Sequence, residues 1–115
     1  MRMSDLVDEA RRDAVDGVKE LRATMRRASR LLRAMANERR LLILCYLLDS
    51  EKSVGELQKL LGISQSALSQ HLARLRAEDL VTTRREAQNI YYTVAEPAVG
   101  EVVTLLRRRL GAQAA

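Results

Sequence analysis

The chain has 115 residues, which is enough for one small domain and too few for two of ordinary size. Its formal net charge is +5, and it contains one cysteine and neither Trp nor Phe. One cysteine excludes an intrachain disulfide and a cysteine-rich zinc site, and the longest apolar run, Leu41–Leu48, is too short to span a bilayer. The first residues are charged and lack the apolar region of a secretory signal. We therefore expect a cytoplasmic protein with an anionic partner and no membrane contact.

The N-terminal segment differs from the rest of the chain in charge. Residues 1–20 contain six acidic and four basic side chains, whereas the remaining 95 residues have a net charge of +7. Residues 1–17 are polar, weakly helical in pattern and end at a glycine, so we interpret them as an extension prone to fraying. The predicted folded domain covers residues 18–111, and residues 112–115 form a short tail.

From Val18 onward a helix with one narrow apolar seam is predicted. Apolar residues follow one another at steps of three and four, and arginines occupy much of the remaining surface. A seam of this kind requires a partner helix, either in its own domain or, as we favour, in another subunit. The seam consists of Val18, Leu21, Met25, Ala28, Leu32 and Met35.

A second helix is predicted over Glu38–Leu48, with Asn37 as its N-cap. After Arg40 this segment is almost entirely apolar, so we place it at the centre of the core. The loop 49–52 leads to the next motif.

The segment from Ser53 to Ala77 has the pattern of a helix-turn-helix. Ser53 and Glu56 form a capping box for a short helix, and Gly62 is placed to end it in a left-handed conformation. Ser64 then caps a second helix, Gln65–Ala77, whose outer face is polar. The two predicted apolar stripes are Leu57, Leu60 and Leu61 in the first helix, and Leu68, Leu72 and Leu75 in the second. This is the usual device for reading a major groove.

After Ala77 the pattern alternates, which predicts a β-hairpin. Its strands are Leu80–Arg85 and Ile90–Val94, joined by residues 86–89, with Ile90, Tyr92 and Val94 on the buried face. Pro97 suits the first turn of a last helix, and Gly100 would allow close approach of a second helix. The apolar stripe of this last helix is Val99, Val103, Leu106 and Leu110. The predicted fold is mainly α with a small β-hairpin, a winged helix-turn-helix of order α-α-α-α-β-β-α.

Three motifs resemble the ArsR/SmtB family of bacterial repressors. They are Ala36-Asn-Glu-Arg-Arg-Leu-Leu-Ile-Leu44, Ser64-Gln-Ser-Ala-Leu-Ser-Gln-His-Leu72 and Gln88-Asn-Ile-Tyr-Tyr92. The second motif is most similar to the HlyU/BigR/SqrR/NolR-like branch. The resemblance implies a homodimer through the first and last helices, which binds an inverted-repeat operator. The seam residues Val18 to Leu32 and the stripe Val99 to Leu110 would then form the dimer interface.

The predicted double-stranded DNA contacts lie on the second helix of the motif and on the hairpin. On the helix, amides and hydroxyls suit base edges, and Arg74 suits phosphate. At the hairpin we expect one or two phosphate contacts. His71 has no neighbouring Cys or His, so a structural or phosphate-bonding role is favoured over metal binding. The complete set is Ser64, Gln65, Ser66, Ser69, Gln70, His71, Arg74, Arg84, Arg85 and Gln88.

Cys45 aligns with one of two cysteines by which thiol-sensing relatives respond, and the second is missing from the last helix. Inert packing, a one-cysteine redox response and another form of ligation are the alternatives for Cys45. The metal-ligand patterns of the family are missing, so metal sensing is not expected and no cofactor is predicted. No nucleophile, base and orienting group occur together, so the chain is not expected to be an enzyme. The inducer is not defined by the sequence. The alternative function is a winged-helix protein-interaction module without specific DNA binding.

Overall fold

The computed structural model describes residues 2–111, except for the side chain of Asp13. In this part of the chain there are five helices and three short strands. In chain order they are α1 (Met3–Met35), α2 (Glu38–Asp49), β1 (Lys52–Ser53), α3 (Val54–Leu61), α4 (Gln65–Ala77), β2 (Val81–Glu86), β3 (Asn89–Val94) and α5 (Pro97–Leu110). The predicted tail 112–115 lies outside the described residues.

Helix α1 passes through Gly17 without interruption, so residues 3–17 are helical in the structure. Their fraying in solution stays a prediction. The chain separates into two compact units, one ending at Leu32 and the other beginning at Arg33. Within the second unit, the Arg40 Nε–H donates to the carbonyl oxygen of Ala34 at 2.6 Å. This bond satisfies a carbonyl in the last turn of α1, which has no partner within its own helix.

Capping bonds confirm the predicted starts of α2, α3 and α4 and the predicted end of α3, whereas α2 ends one residue later than predicted. The Asn37 side chain accepts from the amide of Arg40 at 3.1 Å. Ser53 and Glu56 form both bonds of the capping box, each 3.2 Å long. Gly62 ends α3 with φ of 65°, a left-handed conformation that is costly for residues with a Cβ. These local bonds fix the turn between α3 and α4.

The sheet has three strands in the order β1-β3-β2, whereas the sequence predicted two. Strand β1 pairs with β3 through Lys52 opposite Tyr92 and Ser53 opposite Tyr91. A strand of two residues has no alternation to detect, so it was missed as part of a loop. All residues from Ile90 to Val94 are half-buried, so the predicted contrast in burial between the two faces of this strand is not observed.

The core lies between α2, α3, α4, the first residue of β2 and α5. All members of the predicted α4 stripe, Leu68, Leu72 and Leu75, are at most 2% exposed. Two expectations about packing are wrong. Leu60 is 45% exposed, because α3 is only eight residues long and buries a single side chain, Leu57. Gly100 is not required for close helix packing, since an added Cβ would meet Leu48 at an ordinary 3.5 Å.

Candidate nucleic-acid interface

One side of helix α4 is packed into the core, and its polar side is exposed to solvent. Ser64 caps its first turn, with its hydroxyl oxygen accepting from the amide of Ala67 at 3.1 Å. The hydroxyl hydrogen of Ser64 is still available for donation to a ligand. Behind the helix, Leu68 and Leu75 are fully buried. The rotation of α4 about its own axis is therefore fixed by packing, which determines which side chains face outward.

The predicted base-reading residues all lie on the exposed side of α4. Their side chains offer amide and hydroxyl groups that can both donate and accept hydrogen bonds. Gln amides match the edge of adenine, and serine hydroxyls can bind either a base or a phosphate. The exposed set is Gln65, Ser66, Ser69, Gln70 and Arg74. Arg74 makes no ion pair or hydrogen bond with any described residue and is free for an external anion.

His71 lies at the border between the two sides of α4 and is half-buried. Burial, and then the positive charges of Arg40 and Arg39, lower the pKa of His71 below its ordinary value of 6.5. The imidazole is consequently neutral at pH 7, and it can donate one hydrogen bond rather than attract phosphate as a cation. Its position beside two arginines of α2 was not visible in the sequence, since His71 is 31 positions after Arg40.

The wing, which we define as strands β2 and β3 with their turn, has two different faces. Thr83 lies opposite Tyr92 in the register, and Arg85 opposite Ile90. Since alternate residues of a strand share a face, Arg85 lies on the same face as Tyr92. Tyr92 lines a notch of about 390 Å³ together with Ser69 and other residues of α4. Arg85 therefore lies on the wing face that is turned toward α4.

Arg84 lies on the opposite face of the wing, and its guanidinium is occupied by two carboxylates. Its Nε donates to Glu51 at 2.9 Å, and its Nη1 donates to Glu86 at 2.8 Å. The guanidinium also lies over the ring of Tyr91, 4.6 Å from the centroid. Arg84 and Arg85 were predicted alike as DNA contacts, yet only Arg85 lacks a partner among the described side chains.

The hairpin turn is shorter than predicted. The strands extend to Glu86 and from Asn89, so the turn consists only of Ala87 and Gln88. Ala87 has φ of 56°, the left-handed conformation that two-residue hairpin turns require at their first position. Gln88 is exposed beside it, at the tip of the wing.

Sequence reasoning missed Arg76, whose side chain lines the notch between α4 and Tyr92. It also missed Glu51 as the partner of Arg84. Arg76 could have been found from its position three residues after Ala73 on the outer side of the helix. No sequence signal connects Glu51 to Arg84, because they are 33 residues apart and approach each other only through the sheet.

Cys45 is half-buried, whereas the alternative of inert packing predicts a fully buried side chain in the core. It lines an open apolar groove of about 300 Å³ between α2 and α5, with Leu41, Leu106 and Leu110. The redox role of Cys45 stays a prediction. Across residues 2–111, no group of three or more His, Cys, Asp or Glu side chains could hold a metal ion. In the same part of the chain no helix is long and apolar enough to cross a membrane.

The predicted dimer residues fall into two groups. Val99 and Val103 are 0% and 3% exposed, so they belong to the core of the subunit and are not available for an interface. They are buried because α5 packs this side of its first three turns on the body. The other large side chains, Val18, Leu21, Met25, Leu32, Leu106 and Leu110, are all at least 36% exposed, and Ala28 is half-buried.

Comparisons with known proteins agree on one family. Residues 37–83 match the profile of the family described as "Bacterial regulatory protein, arsR family". The chain is 55% identical to the transcriptional activator HlyU of Vibrio cholerae over 91 residues, which cover 79% of this chain and 84% of HlyU. It is 53% identical to the nodulation protein NolR of Rhizobium meliloti over 79 residues, covering 69% of this chain and 65% of NolR.

Solved structures agree with this result. The structure described as reduced HlyU from Vibrio cholerae superimposes with a TM-score of 0.76, covering 83% of this chain and 99% of that one at 55% identity. The repressor BigR from Xylella fastidiosa gives a TM-score of 0.76 at 34% identity, covering 83% and 97%. A homodimeric winged helix-turn-helix DNA-binding domain from Mycobacterium bovis gives 0.69 at 30% identity, covering 79% and 84%. The chain belongs to the ArsR family of transcriptional regulators, which bind DNA through a winged helix-turn-helix and are not enzymes.

Proposed function

We propose that this protein binds an inverted-repeat operator as a homodimer and acts there as a repressor in the cytoplasm. Each α4 would lie in the major groove of one half-site, and each wing would lie against the adjacent backbone or minor groove. The observation that carries this proposal is the contrast within α4. Its leucines are at most 2% exposed, whereas its amide and hydroxyl side chains are free.

Within this arrangement, contacts divide into base reading and phosphate binding. Gln65, Ser66, Ser69 and Gln70 would read base edges, with Gln70 directed at adenine. Arg74 and Arg85 would bind phosphate, because both are exposed cations without a partner among the described residues. The net charge of +5 adds a sequence-independent attraction to the duplex.

The second copy would cover the exposed seam of α1. Val18, Leu21 and Met25 are each about half exposed, which is unfavourable for large apolar side chains in water. Charge favours antiparallel pairing of two α1 helices. Residues 3–20 contain six acidic and three basic side chains, whereas residues 21–35 contain five arginines and no acidic side chain. In the antiparallel arrangement, the acidic half of each helix lies beside the basic half of its partner.

Selection from a random duplex library tests the proposal. The purified protein should enrich an imperfect palindrome, with half-sites one helical turn apart, and bind it about 1,000-fold more tightly than random duplex at moderate salt. Weak binding without sequence preference would favour the alternative, a protein-interaction module. A reporter gene under the selected operator should be expressed less when the protein is present. Increased expression would contradict the proposed role as a repressor but not the proposed operator binding.

A further inference from the structure

The Glu51–Arg84–Glu86 cluster, which we call the clamp, connects the wing to the loop that precedes α3. Glu51 precedes β1, whereas Arg84 and Glu86 lie on β2. The Arg84 guanidinium binds both oxygens of Glu51 through its Nε, at 3.1 and 2.9 Å, and its Nη2 also donates to Glu51. Such a two-pronged arrangement fixes direction as well as distance.

The sheet register explains why these side chains meet. Arg84 lies opposite Tyr91 on β3, and Tyr91 lies opposite Ser53 on β1. Glu51 is two residues from Ser53, and Glu86 is two residues from Arg84, so all of them lie on one face of the sheet. Arg85 lies on the other face, which is turned toward α4. The clamp and the predicted phosphate contact are therefore on opposite sides of one wing.

Each nitrogen of the Arg84 guanidinium already donates to a carboxylate. Nε and Nη2 bind Glu51, Nη1 binds Glu86, and one face of the guanidinium covers Tyr91. The bond from Arg84 lowers the pKa of the Glu51 carboxyl below its ordinary value, which favours the charged form of this side chain. A phosphate at Arg84 would lie close to the negative charges of both Glu51 and Glu86, which repel it.

We infer that Arg84 is not a DNA contact but a positioning residue, which with Glu51 holds the wing at the angle that presents Arg85 to phosphate. This inference rests on the proposed DNA-binding function. It makes Glu51, an acidic residue, favourable for operator binding. Net charge alone predicts the reverse, since removing a negative charge near DNA ordinarily strengthens binding.

Operator affinity measured over a range of salt concentrations separates the two neighbouring arginines. Arg84→Ala should weaken binding about three- to fivefold, typical for loss of exposed ion pairs, and leave the salt dependence unchanged. Arg85→Ala should reduce the slope of log affinity against log salt by about two, because the dimer loses one phosphate contact in each subunit. Equal reductions in slope for both variants would overturn the inference.

Substitutions at Glu51 test the sign of its effect. Glu51→Gln should weaken operator binding about threefold. The matched control is Asp49→Asn, which removes one negative charge from the last residue of α2, two positions before Glu51, and should leave binding unchanged or slightly stronger. The exchange Glu51→Arg with Arg84→Glu should recover part of the affinity lost in Arg84→Ala, since a guanidinium and a carboxylate would again face each other across the sheet, although the introduced carboxylate on β2 would lie beside Glu86. Stronger binding by Glu51→Gln than by Asp49→Asn would contradict the clamp.

Hydrogen exchange of the DNA-free protein tests the clamp independently of DNA. Amides of β1 and β3 around Ser53 and Tyr91 should exchange about threefold faster in Glu51→Gln and Arg84→Ala, and at the wild-type rate in Arg85→Ala. Unchanged exchange in all three variants would overturn the clamp even if the protein binds its operator. Normal clamp behaviour in a protein that shows no operator preference would instead overturn the proposed function alone.

Discussion

Helices α1 and α4 have similar amphipathic patterns and opposite relations to solvent. In α4 the apolar side is covered by the body of its own unit, and the polar side is free. In α1 the large apolar side chains Val18, Leu21 and Met25 are about half exposed, and arginines occupy much of the remaining surface. Periodicity therefore identifies an apolar face but does not say which chain covers it. This difference supports our proposal that α4 binds DNA and that α1 pairs with a second copy, and each part of the proposal can be tested separately.

The largest expected effect is at the buried side of α4. Leu68→Ala should lower the free energy of unfolding by about 2–5 kcal/mol, because a fully buried leucine leaves a cavity. Urea denaturation followed by circular dichroism measures this loss. Leu60→Ala is the control on the neighbouring helix, and with 45% exposure it should cost less than about 1 kcal/mol. Similar losses in both variants would mean that α4 is not the anchored helix.

The apolar seam of α1 should matter for association rather than for folding. Met25→Glu places a charge on the seam and should convert the dimer to monomer in sedimentation experiments, with a loss of operator affinity of about 100-fold. Ala23→Glu adds the same charge on the opposite side of α1 and should leave the dimer intact. If the first variant remains dimeric, or if the second also dissociates, the seam is not the interface.

The polar side of α4 should determine sequence preference. Gln70→Ala should reduce discrimination between the operator and a single-base variant about tenfold, since a bidentate contact to adenine is lost. Arg74→Ala provides the comparison, because loss of a phosphate contact weakens binding similarly on every sequence. Competition binding on both duplexes measures the two effects. A uniform loss of affinity for Gln70→Ala would remove that residue from base reading.

The smallest effect is expected at His71, on the border of the two sides of α4. Its pKa is lowered by burial and by Arg40 and Arg39, so the unfolded chain binds more protons than the folded one below pH 6.5. The free energy of unfolding should therefore decrease as the pH falls through 6.5 toward the lowered pKa. The stability of the wild type relative to His71→Gln should therefore decrease between about pH 7.5 and about pH 5.5. A difference that is independent of pH would contradict this assignment.

Much of the fold was predictable because its signals are local. The caps at Asn37, Ser53 and Ser64 and the left-handed Gly62 involve residues at most four apart, and all have the predicted roles. Strand β1 and the Glu51–Arg84 pair were missed because they depend on residues brought together by the sheet. For the same reason, the sequence could place Arg84 and Arg85 in one strand, but it could not show that only Arg84 is paired.

Footprinting of the selected operator, combined with the mass of the complex, tests the central claim most directly. We predict two chains per duplex and two protected regions about 10 base pairs apart on one face of the DNA. A complex with one chain, a single protected region, or protection that is independent of sequence would contradict it.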